Sequence, residues 1–140
     1  MKSLGDENEN ETQIHAILEE FSLPYVFPKE VLKEAEKIKI EYNKKDREDY
    51  KKELTFTIDP CDAKDFDDAI SFKKENNKIE VGIHIANVSH FVEKDSVIDK
   101  EAIKRATSVY LSDRVVPMLP EKLSNDVCSL NPKEDKLVFS

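Results

Sequence analysis

The chain has 140 residues, of which 39% are hydrophobic and 37% are charged, and its formal net charge is −8. The length fits one domain or part of one, and the two glycines exclude collagen-like and low-complexity chains. No apolar run approaches the ~18 residues that cross a bilayer and no secretory signal opens the sequence, so we expect a soluble, cytoplasmic protein with no membrane partner and with Cys61 and Cys128 reduced.

The N-terminal part is predicted to be helical after a short disordered segment. Residues 1–10 are polar and acidic, which is typical of disorder. Apolar residues at helical spacing then predict two helices. The first has Asn10 or Thr12 as a possible cap, and the second opens at Pro28. The expected apolar residues of the two helices are Ile14, Ile17, Leu18 and Phe21, then Val31, Leu32, Ala35 and Ile38. Residues 41–53 are mostly charged, as in a solvated helix or linker.

At Leu54 the apolar period changes from helical to alternating, which predicts strands. We expect a strand over 54–58, a short strand over 69–73, and a third over 78–85 that pairs with the second as a hairpin. Ser96 and Asp99 resemble a capping box. The helix that follows is expected to bury four apolar side chains, Ile98, Ala102, Ile103 and Ala106.

The last part of the chain is predicted to contain a short helix over 121–130 and an apolar strand over 137–139. These elements together predict an α+β fold, a mixed β-sheet with helices packed beside it. Its domain would span 54–140, after a disordered N-terminus and helical linker over 1–53. Because the sequence stops within an apolar strand, we expect a fragment of a longer protein. The unpaired edge would favour self-association of that fragment.

The acidic residues concentrate between the first two predicted strands, where five aspartates occupy the ten positions from Asp59 to Asp68. Carboxylates this close repel one another unless something compensates their charge. Divalent cations such as Mg²⁺ prefer such oxygen ligands. A net charge of −8 disfavours contact with phosphates, but a divalent cation bound by the acids would make the local charge more positive.

Other interpretations of this loop remain open from the residues alone. One alternative is a solvated acidic loop, with or without one helix cap. An EF-hand is disfavoured because no glycine lies within the segment to make its sharp turn. The apolar residues among the acids favour a loop that is packed down, and hence a metal site.

The segment TIDPCDAKDFDDAISF (57–72) resembles the signature of the catalytic domain of the ribonuclease II/ribonuclease R family. The resemblance continues in order through VGIHIANVSHFV (81–92), RATSVYL (105–111) and VPMLPEKLSNDVCSLNP (116–132). LPYVFP (23–28) resembles the linker of ribonuclease R-type members, which favours ribonuclease R over ribonuclease II.

The resemblance assigns roles by position. It implies four catalytic acids that bind Mg²⁺, with Mn²⁺ as a substitute: Asp59, Asp65, Asp67 and Asp68. Asp62 is not among them and is interpreted as a loop hydrogen bonder. Tyr110 matches an aromatic residue that stacks on a base near the RNA 3′ end, with a core tyrosine as the alternative. His84 and His90 are expected to be structural. Asn87 replaces the aspartate common in the family.

The implied activity of the parent protein is exoribonuclease hydrolysis of RNA from the 3′ end, processively, to nucleoside 5′-monophosphates. Its partner would be RNA, with no small-molecule cofactor. The family's cold-shock and S1-type modules, and later basic residues, are not in this sequence, so we expect the chain alone to be inactive. A non-catalytic RNA-binding or scaffold relative is the main alternative, and a metal-dependent DNA nuclease is a weaker one.

Overall fold

Helices and antiparallel strands follow one another in the computed structural model, which describes residues 6, 8–42 and 47–140. The helices are α1 (Asn10–Glu20), α2 (Lys29–Ala35) and α3 (Val97–Arg105), with a 3-10 turn at Val88–His90 and a π-helix at Lys122–Val127. The strands are β1 (Leu54–Phe56), β2 (Asp68–Glu75), β3 (Lys78–Ala86), β4 (Val109–Tyr110), β5 (Val115–Val116) and β6 (Val138–Phe139).

The predicted α+β class is confirmed. The main sheet has the order β1-β2-β3-β6, and β4 and β5 form a separate two-stranded sheet. Every pairing between the described strands is antiparallel, so this part of the chain does not form the mixed sheet that we expected. The β2–β3 hairpin is present, and its turn places Asn76 and Asn77 at φ 48° and 60°, a region that asparagine tolerates.

The N-terminal helices lie where the apolar spacing placed them, but their caps differ from the prediction. Neither Asn10 nor Thr12 caps α1, because the N-cap position is Glu9. Pro28 is the N-cap of α2 and not its first residue. Most of the segment predicted to be disordered, and residues 43–46 of the charged linker, lie outside the described residues. The described remainder of 41–53 contains no helix, as expected for a linker.

The face that α3 buries was predicted correctly only in part. Ser96 caps the helix as expected, its hydroxyl accepting from the Asp99 N–H at 3.1 Å. Ile98 is buried and Ala102 packs against buried apolar residues, as predicted. Ile103 is 69% exposed and Ala106 is exposed, and the helix buries Glu101 and Arg105 instead. The reason is the ion pair between these two residues, because a paired charge can occupy a buried face.

Two apolar cores hold the helices. The larger one joins α2, α3, the end of β3 and the π-helix, and its buried residues are Val31, Ala35, Ala86, Ile98, Leu119, Leu123, Val127 and Cys128. The smaller one packs Ile14 and Leu18 of α1 against Val116 of β5. Both cysteines are free, as predicted, and burial raises the pKa of the Cys128 thiol to about 11. In the described part of the chain, no helix is long and apolar enough to cross a membrane.

One face of the main sheet is apolar and exposed. Side chains of residues paired across strands lie on the same face of a sheet. The register pairs Phe72 with Val81 and Ile85 with Phe139, and these four side chains lie on the apolar face. All four side chains are at least 39% exposed. β1 and β6 form the two edges of the sheet. The predicted strand at the end of the sequence is therefore confirmed as an edge strand, and self-association through it remains a prediction.

Candidate metal centre

The acidic loop connects β1 to β2 and is held against the end of β3. Asp59, Asp65 and Asp67 lie in the loop, and Asp68 is the first residue of β2, opposite Ile85 of β3. The Ala86 N–H donates to the Asp67 carbonyl at 2.9 Å, which extends the ladder by one bond beyond the strand. The end of a sheet is a rigid support, so the backbone of Asp67 and Asp68 is held in place there.

Ser129 fixes the middle of the loop from a distant part of the sequence. Its hydroxyl accepts from the Phe66 N–H at 3.0 Å and donates to the Lys64 carbonyl at 2.9 Å. The next residue, Leu130, donates its N–H to the Phe66 carbonyl at 2.9 Å. Ser129 is only 1% exposed, so these bonds are shielded from water. They fix the backbone at the residue that separates Asp65 from Asp67.

The four acids expected to bind metal are close enough to perturb one another. Partial enclosure raises the pKa of the Asp67 carboxyl, and the charges of Asp65, Asp68 and Asp59 raise it further. Within the described residues, no Lys, Arg or His forms an ion pair with any of the four. The described part of the fold thus gathers like charges without a compensating cationic side chain.

The donor set fits a hard divalent cation. All of its candidate ligands are carboxylate oxygens, the type that Mg²⁺ and Mn²⁺ prefer. The Oδ2 atom of Asp59 is buried without a hydrogen-bond partner, a costly state that a cation would relieve. The ligands are not already closed into a cage, because no three His, Cys, Asp or Glu side chains of the described chain are placed to hold an ion.

Tyr110 lies beside this cluster on β4. The residue is 63% exposed, so it is not part of either core of the described chain. Its hydroxyl donates to Asp65 Oδ2 at 2.5 Å, and this bond raises the pKa of Tyr110 to about 12. Stacking on a base remains a prediction, and the exposed ring is accessible for it.

The other residues singled out from the sequence lie outside the acid cluster. His84 is buried, with Nδ1 2.7 Å from the Ser140 hydroxyl, and His90 Nε2 is 2.9 Å from the Glu41 carbonyl. Asn87 caps the 3-10 turn by accepting from the His90 N–H at 3.1 Å. Only the side-chain oxygen is needed for that cap, so asparagine serves there as aspartate would. Asp62 is exposed in a turn of the loop.

Sequence reasoning missed Ser129. A serine just after a short helix carries no pattern that marks it as a partner of a loop 63 residues away. The available signal was that Ser129 lies within the segment 116–132, which resembles the family.

Comparison with known proteins finds matches over most or nearly all of this chain. The family model described as "RNB domain" matches residues 47–140. Ribonuclease R 1 of Lactococcus lactis is 48% identical over 141 residues, which cover 98% of this chain and 17% of that protein. The structure of Mycoplasma genitalium RNase R in complex with ribose methylated single-stranded RNA matches with a TM-score of 0.87 and 34% identity, over 99% of this chain and 22% of that one.

A third match has the same fold with a different description. The structure of yeast Ssd1, described as a pseudonuclease, matches with a TM-score of 0.73 at 22% identity, over 96% of this chain and 18% of that one. At this identity the match shows the fold alone. The chain spans about a fifth of the length of these three proteins.

Proposed function

The chain belongs to the RNB-domain family, and on that basis we propose that it supplies the metal-binding carboxylates of a 3′-to-5′ exoribonuclease. The parent protein would hydrolyse RNA processively to nucleoside 5′-monophosphates, in the cytoplasm. The relatives support this proposal by their descriptions as ribonuclease R. The observation that carries it is the uncompensated cluster around Asp67, whose pKa is raised by enclosure and by three neighbouring acids.

The carboxylates of Asp59, Asp65, Asp67 and Asp68 would hold Mg²⁺, or Mn²⁺ in its place. A bound divalent cation supplies an activated water and stabilises charge on the phosphate. The contribution of this chain is to keep the ligand backbone fixed through Ser129 and Ala86. The exposed ring of Tyr110 would contact a base at the RNA 3′ end, and such stacking tolerates any base because every base has a π-face.

RNA binding by the parent requires positive charge beyond that of this chain. The net charge of −8 repels phosphates, and a few cations at one site do not replace a basic channel. We therefore expect the 140-residue chain alone to release no appreciable nucleotide from RNA.

A non-catalytic relative is the second candidate, because yeast Ssd1 shares the fold. The four acids favour the enzyme. A scaffold does not need four neighbouring carboxylates without an ion-pair partner among the described residues, because such like charges are costly to gather without a cation.

The experiment is single-turnover cleavage of 3′-labelled RNA by the full-length parent protein and two variants. Asp67→Asn removes a charge with little change of shape, and we expect cleavage to slow by at least ~10²-fold, the scale of losing one electrostatic stabiliser. Asp62→Asn makes the same change of charge in the same loop and should cleave at nearly the wild-type rate. Near-normal cleavage by Asp67→Asn would falsify the proposal, and an inactive wild-type parent would favour the non-catalytic alternative.

A further inference from the structure

Tyr110 joins the acidic loop to a separate part of the fold. β4 pairs with β5, where Tyr110 lies opposite Val115, and Val109 opposite Val116. Val116 is packed against Ile14 and Leu18 of α1, so the small sheet has its own apolar support. From this support the Tyr110 hydroxyl reaches across 45 residues of sequence to Asp65 Oδ2.

We propose that the Tyr110 hydroxyl is a positioning group for the Asp65 carboxylate, separate from any contact between the Tyr110 ring and RNA. The inference rests on the proposed function, because it takes Asp65 to be a metal ligand. It gives one side chain two roles, and the role of the hydroxyl can be removed while the ring is kept.

The hydroxyl can orient Asp65 without neutralising it. A phenol donates one hydrogen bond, and this one is made to Oδ2, which leaves Oδ1 and the second lone pair of Oδ2 for another partner. A tyrosine hydroxyl is protonated and uncharged at neutral pH, so it adds no charge to the site. A lysine or arginine there would also hold Asp65, but its positive charge would compete with the cation. Hydrogen bonds to ligating carboxylates set their orientation in this way in metal sites.

The experiment compares two tyrosine-to-phenylalanine variants of the full-length protein. Tyr110→Phe keeps the ring and removes the hydroxyl. Tyr50→Phe is the matched control, because the Tyr50 hydroxyl also donates to a carboxylate, Glu48 Oε2 at 3.3 Å, outside the acidic cluster. Mn²⁺ binding is measured by electron paramagnetic resonance without RNA, and RNA affinity is measured separately in chelator. Circular dichroism confirms that each variant is folded.

We expect Tyr110→Phe to bind Mn²⁺ about 10-fold more weakly than the wild type, the lower end of the range for lost outer-shell partners. Its RNA affinity in chelator should stay within about 2-fold of the wild type, as expected when the stacking ring is kept. Tyr50→Phe should leave both unchanged. A general loss of stability would not separate metal binding from RNA binding in this way.

Two outcomes would overturn the inference. Unchanged or tighter Mn²⁺ binding by Tyr110→Phe would show that the hydroxyl does not position Asp65, or that it competes with the cation. The Asp67→Asn variant separates this result from failure of the proposed function. If Asp67→Asn loses Mn²⁺ and Tyr110→Phe does not, only the positioning role is lost. If neither variant changes Mn²⁺ binding, the metal site itself is wrong.

Discussion

Two clusters of charged side chains in this chain differ in how their charges are compensated. On α3, the Arg105 side chain is 2% exposed, and its Nε donates to Glu101 Oε1 at 2.9 Å. Its other nitrogens donate to the carbonyls of Pro117 and Val26, and its guanidinium lies 3.5 Å from the centre of the Phe27 ring. In the acidic loop, four carboxylates gather without a cationic side chain from the described residues.

The difference separates a charged cluster that stabilises the fold from one that is suited to bind a cation. The Arg105 cluster is satisfied by the chain itself and ties the segment before α2 to α3 and to the Pro117 segment. The aspartate cluster is costly as it stands and gains from a cation that comes from outside. Perturbed groups of this second kind are the ones that mark functional sites. The two clusters should therefore respond to mutation in opposite ways.

Removing Arg105 should have the largest effect on stability. Arg105→Leu leaves the Glu101 carboxylate buried without its partner, and we expect a loss of about 3–5 kcal/mol in the free energy of unfolding. Urea unfolding followed by circular dichroism measures it. The double variant Arg105→Leu with Glu101→Leu should recover part of the loss, because no charge is then left buried. A loss below about 1 kcal/mol for the single variant would show that the pair is not structural.

Removing the Ser129 hydroxyl should have an intermediate effect and should reach the metal site. Ser129→Ala leaves the Phe66 N–H without its acceptor, at a cost of about 1–3 kcal/mol. Ser96→Ala is the matched control, because it removes a similar hydrogen bond at the start of α3. Its expected cost is about 1 kcal/mol in the free energy of unfolding. We expect only Ser129→Ala to weaken Mn²⁺ binding in titration calorimetry. Equal metal affinity in both variants would limit Ser129 to a packing role.

Removing one aspartate should have the smallest effect on stability. It should stabilise the protein slightly, whereas the other two substitutions destabilise it. The folded state raises the pKa of Asp67 above 3.8. As pH rises above 3.8, the unfolded chain ionises first, so the folded state loses stability until its own carboxyl ionises. In chelator at pH 7, Asp67→Asn should therefore raise the thermal midpoint slightly. Much of the side chain reaches solvent, so the gain should stay below about 1 kcal/mol. A lower midpoint in differential scanning calorimetry would contradict the account.

Several features that depend on local pattern were predicted correctly from the sequence. Alternating residues predicted the β2–β3 hairpin, and the Ser96 cap followed from its spacing to Asp99. The acidic cluster was visible because its members are adjacent in the chain. Contacts between distant segments were not visible. The burial of Arg105 depends on Val26 and Pro117, and the role of Ser129 depends on Lys64 and Phe66.

The π-helix and the exposed apolar face of the sheet show the same limit. A short helix after Pro120 was expected, but its π-helical form was not, and it allows the Cys128 N–H to donate to the Leu123 carbonyl at 2.8 Å. Alternation in β3 predicted one apolar face, yet that face is exposed here, since Ile79 and Ile83 are more than 60% accessible. The alternating pattern predicts which face of a strand is apolar, but it does not predict what packs on that face.

The central claim is that the uncompensated aspartates bind a divalent cation, and Mn²⁺ binding by the full-length protein tests it most directly. Electron paramagnetic resonance titrations would compare the wild type with Asp67→Asn and Asp62→Asn, two variants that each lose one negative charge from the same loop. The account predicts that Asp67→Asn loses at least about 10-fold in Mn²⁺ affinity and that Asp62→Asn does not. Equal affinities for all three proteins would show that the cluster around Asp67 is not the metal site.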